Sequence, residues 1–274
     1  MRTMKLGVNS YIVKEISGKG FSLDELQVDF VELGFDDSGI IKNEEINWEA
    51  LKNLKGIGVE FTLHAPTADG KNLPIDLGVY GKEPVKRMGK VIRIANHLGT
   101  EVIVVHGGDI GKSYTKAYVN TLRHLRKLKP IAEDHGVKLV VENLFEGRIG
   151  ALPHELLPFV SEGFELCFDI GHAFLTSMNS GLKMDEFNVL FPYATHLHIH
   201  DNNGSRDEHR PLGEGMIGFS YASRVVELTK AERAVLEIRR YSGKGSIISN
   251  VSFFRNMPDE NFSKIEKAEG GSEA

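Results

Sequence analysis

Residues 198–215 bring together side chains that bind metal ions or carry protons. The stretch reads HIHDNNGSRDEHRPLGEG, and its first twelve positions hold three histidines and three acidic residues. Imidazole nitrogens and carboxylate oxygens are common ligands of divalent metal ions and common groups in general acid–base catalysis. The proline and glycines that follow favour a turn over a helix. The stretch therefore predicts metal binding or proton transfer, provided that further ligands come from elsewhere in the chain.

The rest of the chain alternates between short strands and amphipathic helices. Short runs of β-branched and apolar residues predict eight strands, at residues 5–10, 28–35, 59–65, 101–108, 138–143, 165–172, 194–201 and 234–239. Helical patterns separate them, most clearly at residues 47–58, 83–98, 115–135, 183–191 and 219–230. Strands that alternate with helices pair in parallel, and the mean spacing of about 33 residues suits βαβ units.

Eight such units predict a single α/β domain, a (β/α)8 TIM barrel over residues 1–258, followed by a polar C-terminal tail at 259–274. An open, doubly wound sheet is the alternative. It is disfavoured because no glycine-rich dinucleotide-binding fingerprint follows the first strand.

The predicted barrel places the chemically active side chains at one end. Active sites of this fold lie at the carboxyl ends of the strands. Nine imidazoles and carboxylates stand at or just after the ends of strands three to eight: His64, His106, Glu142, Asp169, His172, His198, Asp207, His209 and Glu237. Burying so many of these groups without partners costs several kcal/mol per charge. A divalent metal ion resolves this cost, since it accepts both kinds of ligand.

Other candidates are assigned to the surroundings of this site. Side chains alternate along a strand, so His196, His198 and His200 share the inward face. We expect His200 to be a ligand or to support one, and His196 to be a hydrogen-bonded interior residue. Cys167 is expected to be a small buried residue below the site. The remaining histidines are expected on helices or loops away from it: His97, His124, His135 and His154.

The composition limits the class of protein. Hydrophobic residues make up 41% and charged residues 26% of the chain, which is typical of a globular domain. No apolar run approaches the roughly 20 residues of a membrane span, and residues 1–13 lack a long apolar signal segment. A single cysteine and these features favour a cytoplasmic protein. The net charge of −5 gives no overall basic surface for nucleic acid.

Six motifs in order carry a resemblance over nearly the whole chain. LHAP, VVHGG, VVEN, DIGHAF, HIHDNNGSRDEHRPLGEG and LEIR resemble those of the xylose isomerase-like TIM-barrel superfamily. That group contains sugar isomerases and epimerases as well as endonuclease IV, the family-2 apurinic/apyrimidinic endonuclease. The endonuclease holds three zinc ions, and the resemblance implies that all nine residues above are its ligands here. The isomerase branch holds one metal ion, which would be bound by Glu142, Asp169, His198 and Glu237.

The first hypothesis is a sugar or sugar-phosphate isomerase or epimerase that uses Zn²⁺ or Mn²⁺, with one to three ions. The metal would stabilise an enediolate while Glu142 and Glu237 move the proton. Five further residues are predicted to bind substrate, the last three through a phosphate: Asn143, His200, Arg239, Arg240 and Lys244. HIHDNNG resembles the isomerase branch more than the endonuclease.

The second hypothesis is an endonuclease IV-like zinc phosphodiesterase acting on DNA at abasic sites. The complete set of nine ligands favours it, and five arginines could meet the DNA backbone: Arg148, Arg206, Arg210, Arg239 and Arg240. The loop after strand one offers only Tyr11 and Lys14 for DNA contact. The loop after strand two is expected to repel phosphates through Asp36, Asp37, Glu44 and Glu45. A non-catalytic metal-binding scaffold is the third alternative.

Overall fold

The computed structural model describes residues 4–36 and 38–257. Eight parallel strands close into one barrel, and each pairs with its neighbours in chain order until the eighth pairs with the first. The strands are β1 (Lys5–Asn9), β2 (Phe30–Leu33), β3 (Glu60–His64), β4 (Val102–Val105), β5 (Lys138–Glu142), β6 (Glu165–Asp169), β7 (Ala194–Ile199) and β8 (Arg233–Leu236). The predicted (β/α)8 barrel is therefore confirmed.

Helices occupy the connections between the strands. They are α1 (Lys14–Ser17), α2 (Leu23–Leu26), α3 (Trp48–Lys55), α4 (Glu83–Leu98), α5 (Tyr114–Glu133), α6 (Pro153–Ser161), α7 (Ile170–Ser180), α8 (Gly218–Leu228) and α9 (Lys244–Arg255). Two 3₁₀ helices, Ser10–Ile12 and Met184–Tyr193, and a two-stranded hairpin, Ile41–Lys42 with Glu45–Ile46, complete the structure. Residues 183–191, predicted as helical, thus form most of a 3₁₀ segment.

All eight strands end one to three residues earlier than predicted, and at β6 the difference changes the position of a predicted ligand. Residues 165–172 were predicted as strand, but β6 stops at Asp169 and α7 begins at the next residue. The Asp169 carboxylate accepts a hydrogen bond from the backbone N–H of His172 at 2.7 Å. It thereby caps the helix, and this places His172 one turn above the strand end.

Alternation along the strands separates two apolar layers. Val102, Val104, Val140 and Cys167 form a cluster inside the barrel, as expected for Cys167. Residues of the opposite parity belong to the larger core between strands and helices. On β5 these are Leu139 and Val141, which share that core with Leu125 and Leu128 of α5. The inward face is thus apolar below and polar at the carboxyl end.

Two sequence predictions fall on residues outside this description. The proposed polar tail at 259–274 and the acidic residue Asp37 lie there. Within residues 4–36 and 38–257, no helix combines the length and apolar character that crossing a membrane requires.

Candidate metal centre

Glu142 lies at the centre of the carboxyl end of the barrel. It ends β5 and is completely buried. Its Oε2 lies 3.2 Å from Nε2 of His64 and 2.9 Å from Nε2 of His106. Its Oε1 lies 3.0 Å from Nδ1 of His198 and 3.3 Å from Nδ1 of His172. One carboxylate from the middle of the barrel therefore faces four imidazoles from four other strand ends or their following turns.

A first group of donors combines three carboxylates with one imidazole. The ligand atoms of Glu142, Asp169, His198 and Glu237 all lie within 4.8 Å of one another, and all four residues are buried. The parallel register aligns Asp169 of β6 with His198 of β7. Nδ1 of His198 lies 3.7 Å from Asp169 and 3.2 Å from Glu237. We call this set the strand-end group.

A second group of four donors stands beside the first. It consists of His172, His200, Asp207 and His209, whose ligand atoms also lie within 4.8 Å of one another. The Nε2 atoms of the three histidines lie 3.5, 3.8 and 2.9 Å from oxygens of Asp207, in the order His172, His200, His209. We call this set the loop group, because Asp207 and His209 come from the loop after β7.

The structure therefore brings together all nine predicted ligands. His64 and His106 contact Glu142 at the rim, and the other seven belong to the strand-end and loop groups. His200 joins the loop group and also lies 3.1 Å from Asp169. Its ring packs against Gly171, where a Cβ atom would lie 2.0 Å from the imidazole. Only glycine at this position leaves room for His200.

Asp201 organises the loop and was missed by the sequence analysis. Its buried carboxylate accepts hydrogen bonds from the backbone N–H groups of Gly213, Ile217 and Gly218 at 3.0, 2.9 and 3.3 Å. Its backbone pairs with that of Arg210 in both directions, at 2.7 and 2.9 Å. The chain therefore folds back on itself and returns Asp207 and His209 to the mouth. The signal was present in the sequence as an acidic residue directly before a predicted turn.

His209 is held in an unusual backbone conformation at this return. Its φ of 49° lies in the left-handed region, which few residues other than glycine adopt. Its Nδ1 lies 3.0 Å from the backbone carbonyl oxygen of Glu237, and its ring stacks on that of His200 with centroids 4.2 Å apart. These contacts leave Nε2 directed at Asp207. The strain is thus associated with the placement of one donor atom.

Glu32 is the second buried carboxylate that the sequence analysis missed. It lies on β2 and is 1% exposed. One oxygen lies 2.7 Å from Nε2 of His198, and the other lies 2.9 Å from Nε2 of His196 and accepts the hydroxyl of Thr62 at 3.1 Å. The available signal was Glu32 itself, an acidic residue between Val31 and Leu33 in a strand with an apolar pattern, since burying an unpaired charge is costly.

Burial and neighbouring charges shift the pKa values of the buried acids and histidines of the site in opposite directions. Burial raises the pKa of Glu142, but His198 and His106 outweigh it and hold that pKa well below its ordinary value. Burial likewise opposes His209 and His198 at Glu237, whose pKa is also well below the ordinary range. Burial lowers the pKa of His172, yet Asp169 and Asp207 raise it well above the ordinary value. These directions favour ionised glutamates and a protonated His172 in the metal-free site, and a cation that binds through His172 would displace that proton.

The donor set fits a divalent metal ion. Its ligands are imidazole nitrogens and carboxylate oxygens, a combination that suits zinc and manganese. Among the described residues, the buried Oδ1 of Asp207 accepts no hydrogen bond, although an ionised oxygen in that position calls for a partner. A cation in the loop group would supply it. The strand-end group offers four ligands to a second cation.

The predicted substrate-binding residues have different positions. Arg239 lines the cavity above the metal groups and lies 3.0 Å from Glu237. Asn143 is buried, and its amide exchanges two hydrogen bonds with the backbone of Asp169, at 2.9 and 2.7 Å. Lys244 lies 3.1 Å from Glu25, and neither it nor Arg240 lines the cavity. The structure thus brings Arg239 to the mouth but not the other two cations.

The other histidines and acids also have defined places. His124 is buried between the carbonyl groups of Leu77 and Gly81, at 2.9 and 3.0 Å. It lies outside the metal groups, as do the three further histidines expected there: His97, His135 and His154. Glu44 and Glu45 form ion pairs of 2.8 Å with Arg87 and Lys90. Their charges are compensated, which weakens the expected repulsion of phosphates by this loop.

The cavity at the mouth has a volume of about 360 Å³. Its floor includes Glu142 and Glu237, and its walls come from the loops after β1, β2, β3 and β5. Asp36 and Asp69 stand on the walls together with Lys71 and Arg148. This volume is at the lower end of the range for small-molecule sites.

Comparison with known proteins identifies relatives along most of the chain. A family model described as a xylose isomerase-like TIM barrel matches residues 23–257. The uncharacterized protein MJ1311 of Methanocaldococcus jannaschii is 32% identical over 79% of this chain and 77% of its own length. A D-tagatose 3-epimerase-like protein of known structure is 26% identical, with a TM-score of 0.71 over 97% of this chain and 99% of that one. Endonuclease IV from Thermus thermophilus shares the fold at 22% identity, with a TM-score of 0.61 over 92% and 97% of the two chains.

Proposed function

Because the chain belongs to the xylose isomerase-like TIM-barrel family, we propose that it is a divalent-metal-dependent isomerase or epimerase of a sugar or sugar phosphate. One observation carries the proposal. Two glutamates, Glu142 and Glu237, belong to the same four-ligand group and both line a cavity of about 360 Å³. Paired carboxylates beside one metal ion are suited to moving a proton between neighbouring carbons.

The four residues of the strand-end group would hold the metal ion. When bound, it would polarise the carbonyl and hydroxyl oxygens of the substrate. Glu142 and Glu237 would flank the sugar, and a carboxylate oxygen of one would take the proton from the carbon beside the carbonyl. The other glutamate would return a proton to the neighbouring carbon in isomerisation, or to the opposite face of the same carbon in epimerisation.

The surroundings hold these two glutamates in position. Glu142 is fixed by imidazoles on both oxygens, and Glu237 lies between His198 and Arg239, at 3.2 and 3.0 Å. Because Glu142 and Glu237 are 0% and 4% exposed, water has little access to their carboxylates. A substrate in the cavity would complete this exclusion. Arg239 lines the cavity at the rim, and we propose that it contacts a hydroxyl or phosphate of the substrate.

The test is whether hydrogen from the solvent is incorporated into the substrate. Protein loaded with Mn²⁺ or Zn²⁺ is incubated in D₂O with a panel of free and phosphorylated ketoses, and deuterium incorporation is read by mass spectrometry. We expect deuterium at the carbon beside the carbonyl and a loss of about 10²–10⁴-fold in Glu142→Gln. Glu155→Gln, which changes a buried carboxylate on α6, serves as the control and should retain the rate. Absence of deuterium in every ketose would contradict the proposal.

A zinc phosphodiesterase acting at abasic DNA is the second candidate function. The observation that favours it is the loop group, which adds a further set of donors beyond the four that one metal ion needs. Against it, the residues that line the cavity include six acidic side chains and only three lysine or arginine side chains, a balance that does not favour DNA phosphates. Cleavage of an oligonucleotide with one abasic site, lost in Asp207→Asn, would support this candidate over the first.

A further inference from the structure

Glu32 occupies a position that no part of the proposed proton transfer uses. It lies on β2, almost across the barrel in strand order from Glu142 on β5. Within the described residues, its polar neighbours include two imidazoles of β7 and the hydroxyl of Thr62. It is 1% exposed and, like Glu142 and Glu237, it lines the cavity at the mouth of the barrel. The proton transfer proposed for Glu142 and Glu237 assigns no step to Glu32, so this buried charge calls for another role.

The two nitrogens of His198 face carboxylates on opposite sides. Nδ1 is directed at the strand-end group, 3.0 Å from Glu142 and 3.2 Å from Glu237. Nε2 lies 2.7 Å from Glu32, close but not aligned as a hydrogen bond, so a small turn of the ring is needed to complete one. A neutral imidazole carries one N–H, and a metal ion takes the lone pair of the other nitrogen. The arrangement therefore has one correct tautomer for metal binding, with the hydrogen on Nε2 and the lone pair on Nδ1.

We propose that Glu32 is a positioning residue, which holds the hydrogen of His198 on Nε2 and thereby presents Nδ1 to the bound cation. Carboxylates that accept the second N–H of a ligating histidine fix the ring orientation and make the ring a stronger ligand. The hydroxyl of Thr62 and the imidazole of His196 both contact the far oxygen of Glu32. They hold the carboxylate so that its near oxygen faces His198.

His196 gains a definite role from this arrangement. Its Nε2 lies 2.9 Å from Glu32, whereas its buried Nδ1 has no hydrogen-bond partner among the described residues. His196 therefore contacts Glu32 through Nε2 and lies against the ring of His198, with centroids 5.5 Å apart, but it is not one of the four donors of the strand-end group. His196, Glu32 and His198 form a chain of contacts that runs from the interior to the metal ligand.

The inference rests on the proposed function only in requiring a bound divalent cation. Its test is metal affinity, measured by competition with a chromophoric chelator, in wild-type protein, Glu32→Gln and Glu155→Gln. We expect Zn²⁺ to bind about 10–100-fold more weakly to Glu32→Gln, which is the usual cost of losing such a partner. Glu155→Gln removes an equally buried charge on α6 and should bind as the wild type does. Wild-type affinity in folded Glu32→Gln would overturn the proposal.

A second measurement does not depend on the variant being folded. Nitrogen-15 NMR of histidine-labelled, zinc-loaded wild-type protein reports the tautomer of each ring. The His198 signal, assigned with His198→Gln, should show the hydrogen on Nε2 and the metal on Nδ1. The reverse tautomer would overturn the proposal. Weakened metal binding in Glu32→Gln together with no deuterium transfer to any ketose would leave this inference standing and remove the proposed function.

Discussion

The acidic residues at the two ends of the barrel differ in their partners and in their burial. At the amino end, acids meet lysine or arginine: Glu60 contacts both Lys5 and Arg233, and Glu165 lies 2.9 Å from Lys138. These groups are at least partly exposed, and their charges balance within the protein. At the carboxyl end Glu142 is buried and Asp207 is only partly exposed, and both meet mainly imidazoles. The acids at the amino end are thus paired with cationic side chains, whereas those at the carboxyl end belong to the proposed cation site.

This difference separates stability from function in one molecule. The ion pairs at the amino end, those of Glu60 and Glu165, involve none of the nine donors. Imidazoles at the carboxyl end are charged only when protonated, so they neutralise acids in the metal-free protein and become neutral ligands when a metal ion binds. Four predictions test this separation.

The largest expected effect is that of Glu237→Gln at the carboxyl end. Loss of one of the two proposed proton-transferring groups should lower the rate of deuterium exchange into substrate by about 10²–10⁴-fold. Glu165→Gln at the amino end is the matched control and should leave the rate unchanged. Metal content is measured in both proteins. An equal loss of rate in the two variants would mean that the ends do not differ as described.

Binding of the metal ion should stabilise the fold through the carboxyl end. At a free metal concentration about 100 times the dissociation constant, the free energy of unfolding should rise by about 2.7 kcal/mol. The measurement is chemical denaturation with Zn²⁺ and with a chelator. The increase should persist in Lys138→Ala, because that side chain contacts Glu165 at the other end. A metal-induced change that disappears in Lys138→Ala would contradict the comparison.

Arg233→Ala should lower stability without changing metal binding. Arg233 is 12% exposed in its side chain and lies 3.1 Å from Glu60 and 3.5 Å from Glu101. Its loss should lower the free energy of unfolding by about 1–3 kcal/mol, between the values for exposed and buried ion pairs. The more exposed Lys138→Ala should cost less than about 1 kcal/mol. A change in zinc affinity in Arg233→Ala would show that the two ends are coupled.

The smallest expected effect is the pH dependence of metal affinity. Asp169 and Asp207 overcome burial and raise the pKa of His172, so the metal-free site holds a proton near neutral pH. A metal ion must displace it, and the affinity should therefore fall as the pH decreases. Below the raised pKa, each displaced proton changes the affinity by about tenfold per pH unit. Titrations at several pH values measure the slope, and an affinity that rises on acidification would contradict the prediction.

The barrel and the nine donors were predictable because they follow local rules. Strand–helix alternation gives the fold, and polar residues at strand ends meet at one mouth. His64 and Glu237 could be assigned in this way although most of the chain separates them, because a TIM barrel places all strand ends together. The chemistry of the donors needed only their residue types.

Partners across the barrel were not predictable from those rules. Glu32 lies in the middle of β2. Its role depends on contacts with two histidines of β7, which only the closed barrel brings near. Asn143 was expected to contact substrate, but its amide links β5 to β6 through the backbone of Asp169. Lys244 was expected at a phosphate, and its contact with Glu25 depends on how α9 lies against α2.

The attachment of the segment after β7 through Asp201 has a consequence for how such sites diversify. The Asp201 carboxylate holds the segment after β7 by accepting hydrogen bonds from its backbone N–H groups, which every residue except proline possesses. These hydrogen bonds therefore do not depend on the side chains at positions 207 and 209, although the left-handed backbone at 209 restricts which residues fit there. A lineage could gain or lose the second cation by two substitutions on this segment, with the strands and the proton-transferring glutamates untouched.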